Sequence, residues 1–249
     1  MQPAIVIVNH KGGVGKTETV YRLGIQFAIA SLAPLLIDCD PQANLTGRFR
    51  PVFGPKQSVS ALLGGAVQAQ ATLHQAALAV DWQYPAAHII PSDLSLENVA
   101  VGLAQRNFNR LTALLAAIRA ERHFYAGPIL IDTPPNAGIL TLNALVAATH
   151  VIICADPEAD AITGVRRVAE IVGDIDRERG QAPRILGVLA TRVDSVLTRH
   201  TDGLAELMKP GMPPLLGCIP KRAGLDADTK LNEAYEPVAA RVLSEVQNA

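Results

Sequence analysis

The run Asn9-His10-Lys11-Gly12-Gly13-Val14-Gly15-Lys16-Thr17 constrains the fold of this chain more than any other stretch. An apolar segment, Ala4 to Val8, precedes it and a helix-like stretch follows, so backbone N–H groups from Gly12 to Thr17 can converge at a helix N-terminus. Such a cradle binds phosphate. By position, Lys16 would reach the β- and γ-phosphates of a nucleotide, and Thr17 would offer its hydroxyl to Mg²⁺. The loop departs from the strict pattern GxxxxGK[ST], because His10 stands where that pattern has glycine. Lys11 is surplus to a single bound nucleotide. Two readings of it stand open: a solvated loop lysine, or a cation that points away from its own phosphates and reaches a second nucleotide across a dimer interface.

Two acidic segments follow in the order a phosphate site needs. Leu35-Leu36-Ile37-Asp38-Cys39-Asp40 is an apolar strand ending in two carboxylates. Strand alternation would turn Asp38 and Asp40 the same way, toward the strand end where phosphates would lie. Ile129-Leu130-Ile131-Asp132-Thr133-Pro134-Pro135 repeats the device, with Asp132 placed like a Walker B aspartate beside Mg²⁺. Carboxylates at strand C-termini are where doubly wound sheets bind ligands.

Together, KGGVGKT with its leading lysine, IDCDPQANLT and IDTPPNAGILTLNAL resemble the ParA/MinD family of deviant Walker A ATPases, and its ParA branch in particular. VIICADPEADAITGV, GVLATRVDS and Cys218-Ile219-Pro220-Lys221 fall where that branch has its later strands and loops, so the resemblance spans nearly the whole chain. It implies an ATPase that uses ATP and Mg²⁺. Lys11 would contact the ATP of the partner subunit in a nucleotide-sandwich dimer. Gly12, Gly13, Val14, Gly15, Lys16 and Thr17 would hold phosphate, and Asp40 would position the attacking water. Thr17, Asp38 and Asp132 would serve the metal, and Thr191, Asp194 and Pro220 would lie near adenine. Arg199, Lys221 and Arg222 would supply a DNA-binding patch, with Arg192 and Lys230 nearby.

One residue breaks the family pattern. Glu18 stands where a second threonine usually follows Thr17. An acid in the first turn suits the helix macrodipole if it faces outward, yet facing inward it would repel the α-phosphate. Glu18 is therefore counted among the nucleotide-contacting positions.

Composition bounds the remaining choices. The chain has 249 residues, of which 49% are hydrophobic and only 4% aromatic, so Ala, Val, Leu and Ile must fill an α/β core. The expected fold is a doubly wound, mostly parallel sheet with helices on both faces, one P-loop NTPase domain over residues 1–249. Strands are predicted at Ala4–Val8, Pro34–Asp38, His88–Ile90, Ile129–Asp132, His150–Ala155, Arg184–Ala190 and Pro214–Cys218. Helices are predicted at Thr17–Ser31, Leu94–Ala104, Asn107–Arg122, Ile139–Ala148, Ala161–Arg179, Thr201–Met208 and Pro237–Val246. Cys39, Cys154 and Cys218 are odd in number and widely spaced, which argues against a disulfide framework, a zinc site or an iron–sulfur cluster, and all three read as buried small residues.

No signal peptide, apolar membrane span or N-terminal helix-turn-helix domain is expected, which points to the cytoplasm. A formal net charge of −1 lacks the signature of a dedicated nucleic-acid binder, so DNA contact would need a local patch. The C-terminal segment from Pro237 carries valines at helical spacing but little bulk or basic charge, and core packing is expected rather than a MinD-like membrane surface. The resulting expectation is a ParA-type ATPase, nucleoid-associated when ATP-bound, that dimerises with ATP, binds DNA non-specifically and positions a plasmid, chromosome or protein cargo with a ParB-like adaptor. Alternatives are a weakly hydrolysing nucleotide-dependent scaffold, a MinD-like spatial regulator, and a P-loop kinase or amidoligase-like enzyme.

Overall fold

Side chains alternate along β1 (Ala4–Val8), so Ala4, Val6 and Val8 enter one hydrophobic cluster while Ile5 and Ile7 enter another. A strand apolar on both faces must be covered on both, and that requirement sets the layers of the molecule. The computed structural model describes residues 2–49, 54, 57–66, 78–79, 87–106, 110–120, 126–158, 161–221 and 227–247. Among them, eight strands form one sheet: β1, β2 (Leu35–Asp38), β3 (Leu78–Ala79), β4 (His88–Ile90), β5 (Ile129–Asp132), β6 (His150–Ala155), β7 (Arg184–Val193) and β8 (Leu215–Pro220). Their order is β3-β4-β2-β5-β1-β6-β7-β8. Every neighbouring pair is parallel except β3 with β4.

Helices cover both faces, as expected of a doubly wound sheet. One cluster takes buried residues from α4 (Leu96–Arg106), α5 (Arg110–Ala120), α6 (Ile139–Ala147), α7 (Ala161–Arg179) and α8 (Thr198–Leu207). The other takes Val20, Leu23 and Phe27 of α1 (Lys16–Ile29) with Tyr235, Val238 and Val242 of α9 (Ala227–Gln247). Two short helices, α2 (Asn44–Phe49) and α3 (Val59–Ala61), follow β2. A π-helical turn, Leu62–Ala66, continues from α3.

The structure corrects the expected boundaries where tertiary contacts override local signals. α9 begins ten residues before the predicted start and runs straight through Pro237. An interior proline costs a helix roughly 3 kcal/mol. Burial of Val238 and Val242, at about 1.5–3 kcal/mol each, offsets that, and Tyr235 adds to it. The apolar stripe of this helix is thus spent on the core, as core packing requires. α8 starts at Thr198 rather than Thr201, and β7 extends to Val193, past the predicted Ala190. The ends of the predicted Asn107–Arg122 helix fall outside the described residues. Cys39 and Cys154 are buried, but Cys218 is exposed, because β8 is an edge strand with α9 packed against it. Among the described residues, no helix is long and apolar enough to cross a membrane.

Candidate phosphate site

Because the sheet is parallel around β1, the loops after β1, β2, β5, β6 and β7 all emerge at one edge, and the glycine-rich loop lies at its centre. The loop needs left-handed backbone at two positions: Gly13 has φ 75° and Gly15 φ 82°. Any Cβ at these positions would be strained, which explains the glycines. Gly15 immediately precedes α1, so the helix's unpaired N–H groups open toward the loop. Two side chains pin the loop, one of its own and one from β7. Asn9 Nδ2 donates to the carbonyl of Cys154 at 2.5 Å while its Oδ1 accepts the Lys11 N–H at 3.0 Å, and Thr191 Oγ1 donates to the Val14 carbonyl at 2.7 Å.

A cavity of about 400 Å³ opens over the loop. Its walls include Gly12, Gly13, Lys16, Thr17, Asp40 and Arg48. Lys16 is 6% exposed and donates from Nζ to the Lys11 carbonyl at 3.1 Å; burial lowers its pKa. Thr17 Oγ1 donates to Asp132 Oδ2 at 2.7 Å. Asp132, at 0% exposure, lies in register with Asp38 on the adjacent strand β2. Burial, reinforced by the neighbouring Asp38 charge, raises the Asp132 carboxyl well above the usual carboxylate range, and burial pushes Asp38 up to about 6. A hard oxygen donor set of one hydroxyl and one buried carboxylate suits Mg²⁺, whose charge would favour the ionised acid. The residues present therefore fit that ion.

Asp38 serves differently from its neighbour. Its Oδ2 accepts both the Thr46 N–H at 2.8 Å and the Thr46 hydroxyl at 2.7 Å, and its Oδ1 accepts the Asp40 N–H at 3.1 Å. Strand alternation does not orient Asp40, because β2 ends at Asp38; a hydrogen-bonded turn does. Asp40 Oδ1 then accepts the Gln42 N–H at 3.0 Å, which holds this carboxylate at the cavity wall.

Lys11 leaves the loop on its other side. Its Nζ lies 3.2 Å from Glu158 Oε2, and it lines a second hollow with Asn9, His10, Asp156 and Arg167. The sequence reading missed Glu158 here, and it named Arg192 only as a cation near the DNA-binding patch. Arg192 sits at the end of β7 with φ 56°, donates to the Gly13 carbonyl at 2.8 Å, and lies 3.8 Å from Asp156. It belongs to the loop's rim. Only the order of strands, which no local motif encodes, brings it there. Asp156, Glu158 and His200 also gather within 4.8 Å. His200 Nδ1 accepts the Asp194 N–H at 3.0 Å, so a neutral ring carries its proton on Nε2 and offers no lone pair to a metal.

The remaining predicted residues separate. Thr191 abuts Gly15, with its side chain 3.5 Å from where a Cβ would stand. Asp194 caps its own turn by accepting the Val196 N–H, and Pro220 ends β8 opposite Val193. Neither Asp194 nor Pro220 lines the cavity. Arg199 and Lys221 are exposed at the same sheet edge, and Arg222 lies outside the described residues. Glu18 lines the cavity but is held between two arginines: Oε1 accepts Arg22 Nε at 2.6 Å, and Oε2 pairs with Arg48.

A family model described as an AAA domain matches residues 2–184. The chromosome partitioning protein ParA of Caulobacter vibrioides is 35% identical over 206 residues, covering 76% of this chain and 69% of that protein. The chromosome-partitioning ATPase Soj of Treponema pallidum is 33% identical over 199 residues, covering 78% and 73%. Among solved structures, cobyrinic acid a,c-diamide synthase from Mycobacterium smegmatis, with bound ATP analog and magnesium, superposes with a TM-score of 0.84 at 28% identity, covering 99% of this chain and 96% of that one.

Proposed function

The chain belongs to the ParA family of P-loop ATPases, and from that premise we propose that it binds ATP in the glycine-rich cradle, dimerises around it, holds DNA without sequence preference and positions a cargo until hydrolysis releases it. The observation that carries this reading is the division of labour between two lysines of one loop. Lys16 is buried in the cavity, whereas the Lys11 ammonium, 39% exposed, stands at the rim against Glu158. A lysine so placed is available to phosphates that arrive on a partner subunit.

Hydrolysis of a phosphoanhydride asks the protein mainly for positioning and charge neutralisation. In this scheme the loop amides from Gly12 to Thr17 and the Lys16 ammonium hold the phosphates. Asp40, fixed by Asp38 and Gln42, orients a water at the cavity wall. Thr17 and Asp132 would hold Mg²⁺, which would supply charge neutralisation for the phosphates. Lys11 of each subunit completes the other's site, so turnover waits for dimerisation and the dimer lasts as long as the γ-phosphate. Exposed Arg199 and Lys221, with Arg222, supply the DNA contacts, and the adaptor is a ParB-like protein that accelerates turnover. Located by its DNA contacts, the ATP-bound protein resides on the nucleoid in the cytoplasm.

Retention on unrelated DNA fragments tests the reading. Retention should require ATP, fall steeply with salt and disappear in Lys11→Ala. Equal retention with ADP or without nucleotide would count against the switch. A second reading, ATP-dependent amidation of a carboxylic acid, draws on the synthase to which the fold is similar. It predicts ADP release that depends on cobyrinic acid and an amide donor rather than on DNA.

A further inference from the structure

Glu18 places an anion in the first turn of α1, on the wall of the cavity over the glycine-rich loop. An uncompensated carboxylate there would oppose binding. The structure surrounds it with two guanidiniums of unequal commitment. Arg22 is 1% exposed and spends its nitrogens on Glu18, on Asn232 Oδ1 at 2.8 Å, and on the side chain and carbonyl of Asp228. Arg48 is 45% exposed, pairs with Glu18 Oε2, and rests its guanidinium 5.2 Å from the centroid of the Tyr21 ring. It also lines the phosphate cavity, together with Asn44 one turn earlier on α2.

α2 is aimed at the cavity by contacts of its own. Asp38 grips the N–H and hydroxyl of Thr46, and Phe49 lies 5.5 Å from Tyr21 between ring centroids. These contacts, with the Tyr21 ring and Glu18, limit where the Arg48 guanidinium can go. A guanidinium has five donors, and engagement of one edge by a carboxylate leaves others for a second anion.

We propose that Arg48 is a nucleotide-binding residue that contacts the α-phosphate, and that Glu18 is its positioning residue. The proposal rests on the reading of the cradle as an ATP site. In this arrangement the loop's departure at Glu18 is compensated from a different element: the carboxylate holds the cation in place, and the cation supplies a phosphate contact that the carboxylate itself cannot make. Because ATP and ADP share the α-phosphate, Arg48 should serve both equally, unlike any residue directed at the γ-phosphate.

Calorimetric titration of the full chain with ADP and with a non-hydrolysable ATP analogue, each with Mg²⁺, tests this. Arg48→Ala should weaken both ligands by about tenfold, the size typical of one lost charge-assisted contact, and Arg48→Lys should recover only part of it. Adding Glu18→Thr to Arg48→Ala should recover part of the loss, because it removes a carboxylate that faces the phosphates with Arg22 as its remaining partner. A merely structural role for Arg48 would not give that rescue. Arg48→Gln provides a folded comparison if the alanine variant is unstable. Wild-type binding combined with Arg48→Ala and Arg48→Gln affinities within twofold of it would overturn the role of Arg48 while leaving the ATPase reading intact. A wild-type protein that binds neither ligand would overturn the ATPase reading itself and the inference with it.

Discussion

Lys16 and Lys11 leave the same loop and end in different surroundings. The first lies inside the cavity, bonded to a loop carbonyl at 3.1 Å, beside half-buried Thr17 and close to Asp132 and Asp38, both at 0% exposure. The second stands at the rim among Glu158, Asp156 and Arg192, where pairs are longer and water has access. In the interior Lys16, Thr17 and Asp38 are each held by hydrogen bonds, and loss of a partner leaves a desolvated group unsatisfied. At the rim an ion pair between two roughly 40% exposed side chains contributes about 0–1 kcal/mol and exchanges readily for another anion. Preorganised interior and exchangeable rim are what a site needs if it is to bind nucleotide first and a partner second.

Substitutions can break this contrast. The largest effect is expected from Lys16→Ala, which should reduce ATP turnover by roughly 10²–10³-fold with weakened binding, since it removes a buried charge aimed at the phosphates. Lys11→Ala should instead bind ATP as a monomer, read by equilibrium dialysis and sedimentation; equal loss of ATP binding in both variants would erase the distinction. Next, Asp40→Ala should lower single-turnover hydrolysis by about 10²-fold or more while leaving ATP affinity within a few-fold. Parallel loss of affinity would move Asp40 from water positioning to nucleotide binding.

A third effect is smaller and concerns stability. The folded pKa of Asp132 lies above its unfolded value because of burial, so the folded state holds that proton more tightly. Its contribution is fully present below the unfolded value of about 4 and is lost as pH rises toward the raised folded value, at up to about 1.4 kcal/mol per pH unit. Asp38 adds a like loss over a narrower window that closes at about 6. Melting curves in metal-free buffer should therefore show a steeper decline with pH for the wild type than for Asp132→Asn, whose amide keeps a partner for the Thr17 hydroxyl. Identical slopes would mean that Asp132 is not the titrating interior group. The smallest effect is expected from Glu158→Gln, which should lower the protein concentration needed for ATP-dependent dimerisation by no more than about fivefold. A rise in that concentration, seen by sedimentation, would show that Glu158 assists the dimer instead of competing for Lys11.

Much of this molecule is readable along the chain. Each strand around the cradle announces itself as an apolar run, β2 and β5 end in the acids that reach the site, and Gly13 and Gly15 mark the two left-handed positions. Legibility fails where local signals compete with distant packing. Pro237 reads as a helix start but lies within α9, because burial against α1 outweighs the proline's cost. Cys218 looks like its two buried counterparts until its strand is found at the sheet edge.

Periodicity and composition determine which residues are buried, and a loop's glycines determine its backbone, because both depend on near neighbours. That much the amino-acid order settled: a doubly covered parallel sheet with a phosphate cradle at the end of β1. Partnerships across long chain separations were decided by the tertiary structure alone. Lys11 meets Glu158 from 147 residues away, Arg192 reaches Gly13 from 179, and Glu18 meets Arg48 across 30. Each depends on which strand lies beside which, a choice made by the packing of whole elements and written in no single motif. The anion at Glu18 is the clearest instance: along the chain it is a misplaced charge, and in the fold it is the anchor of an arginine.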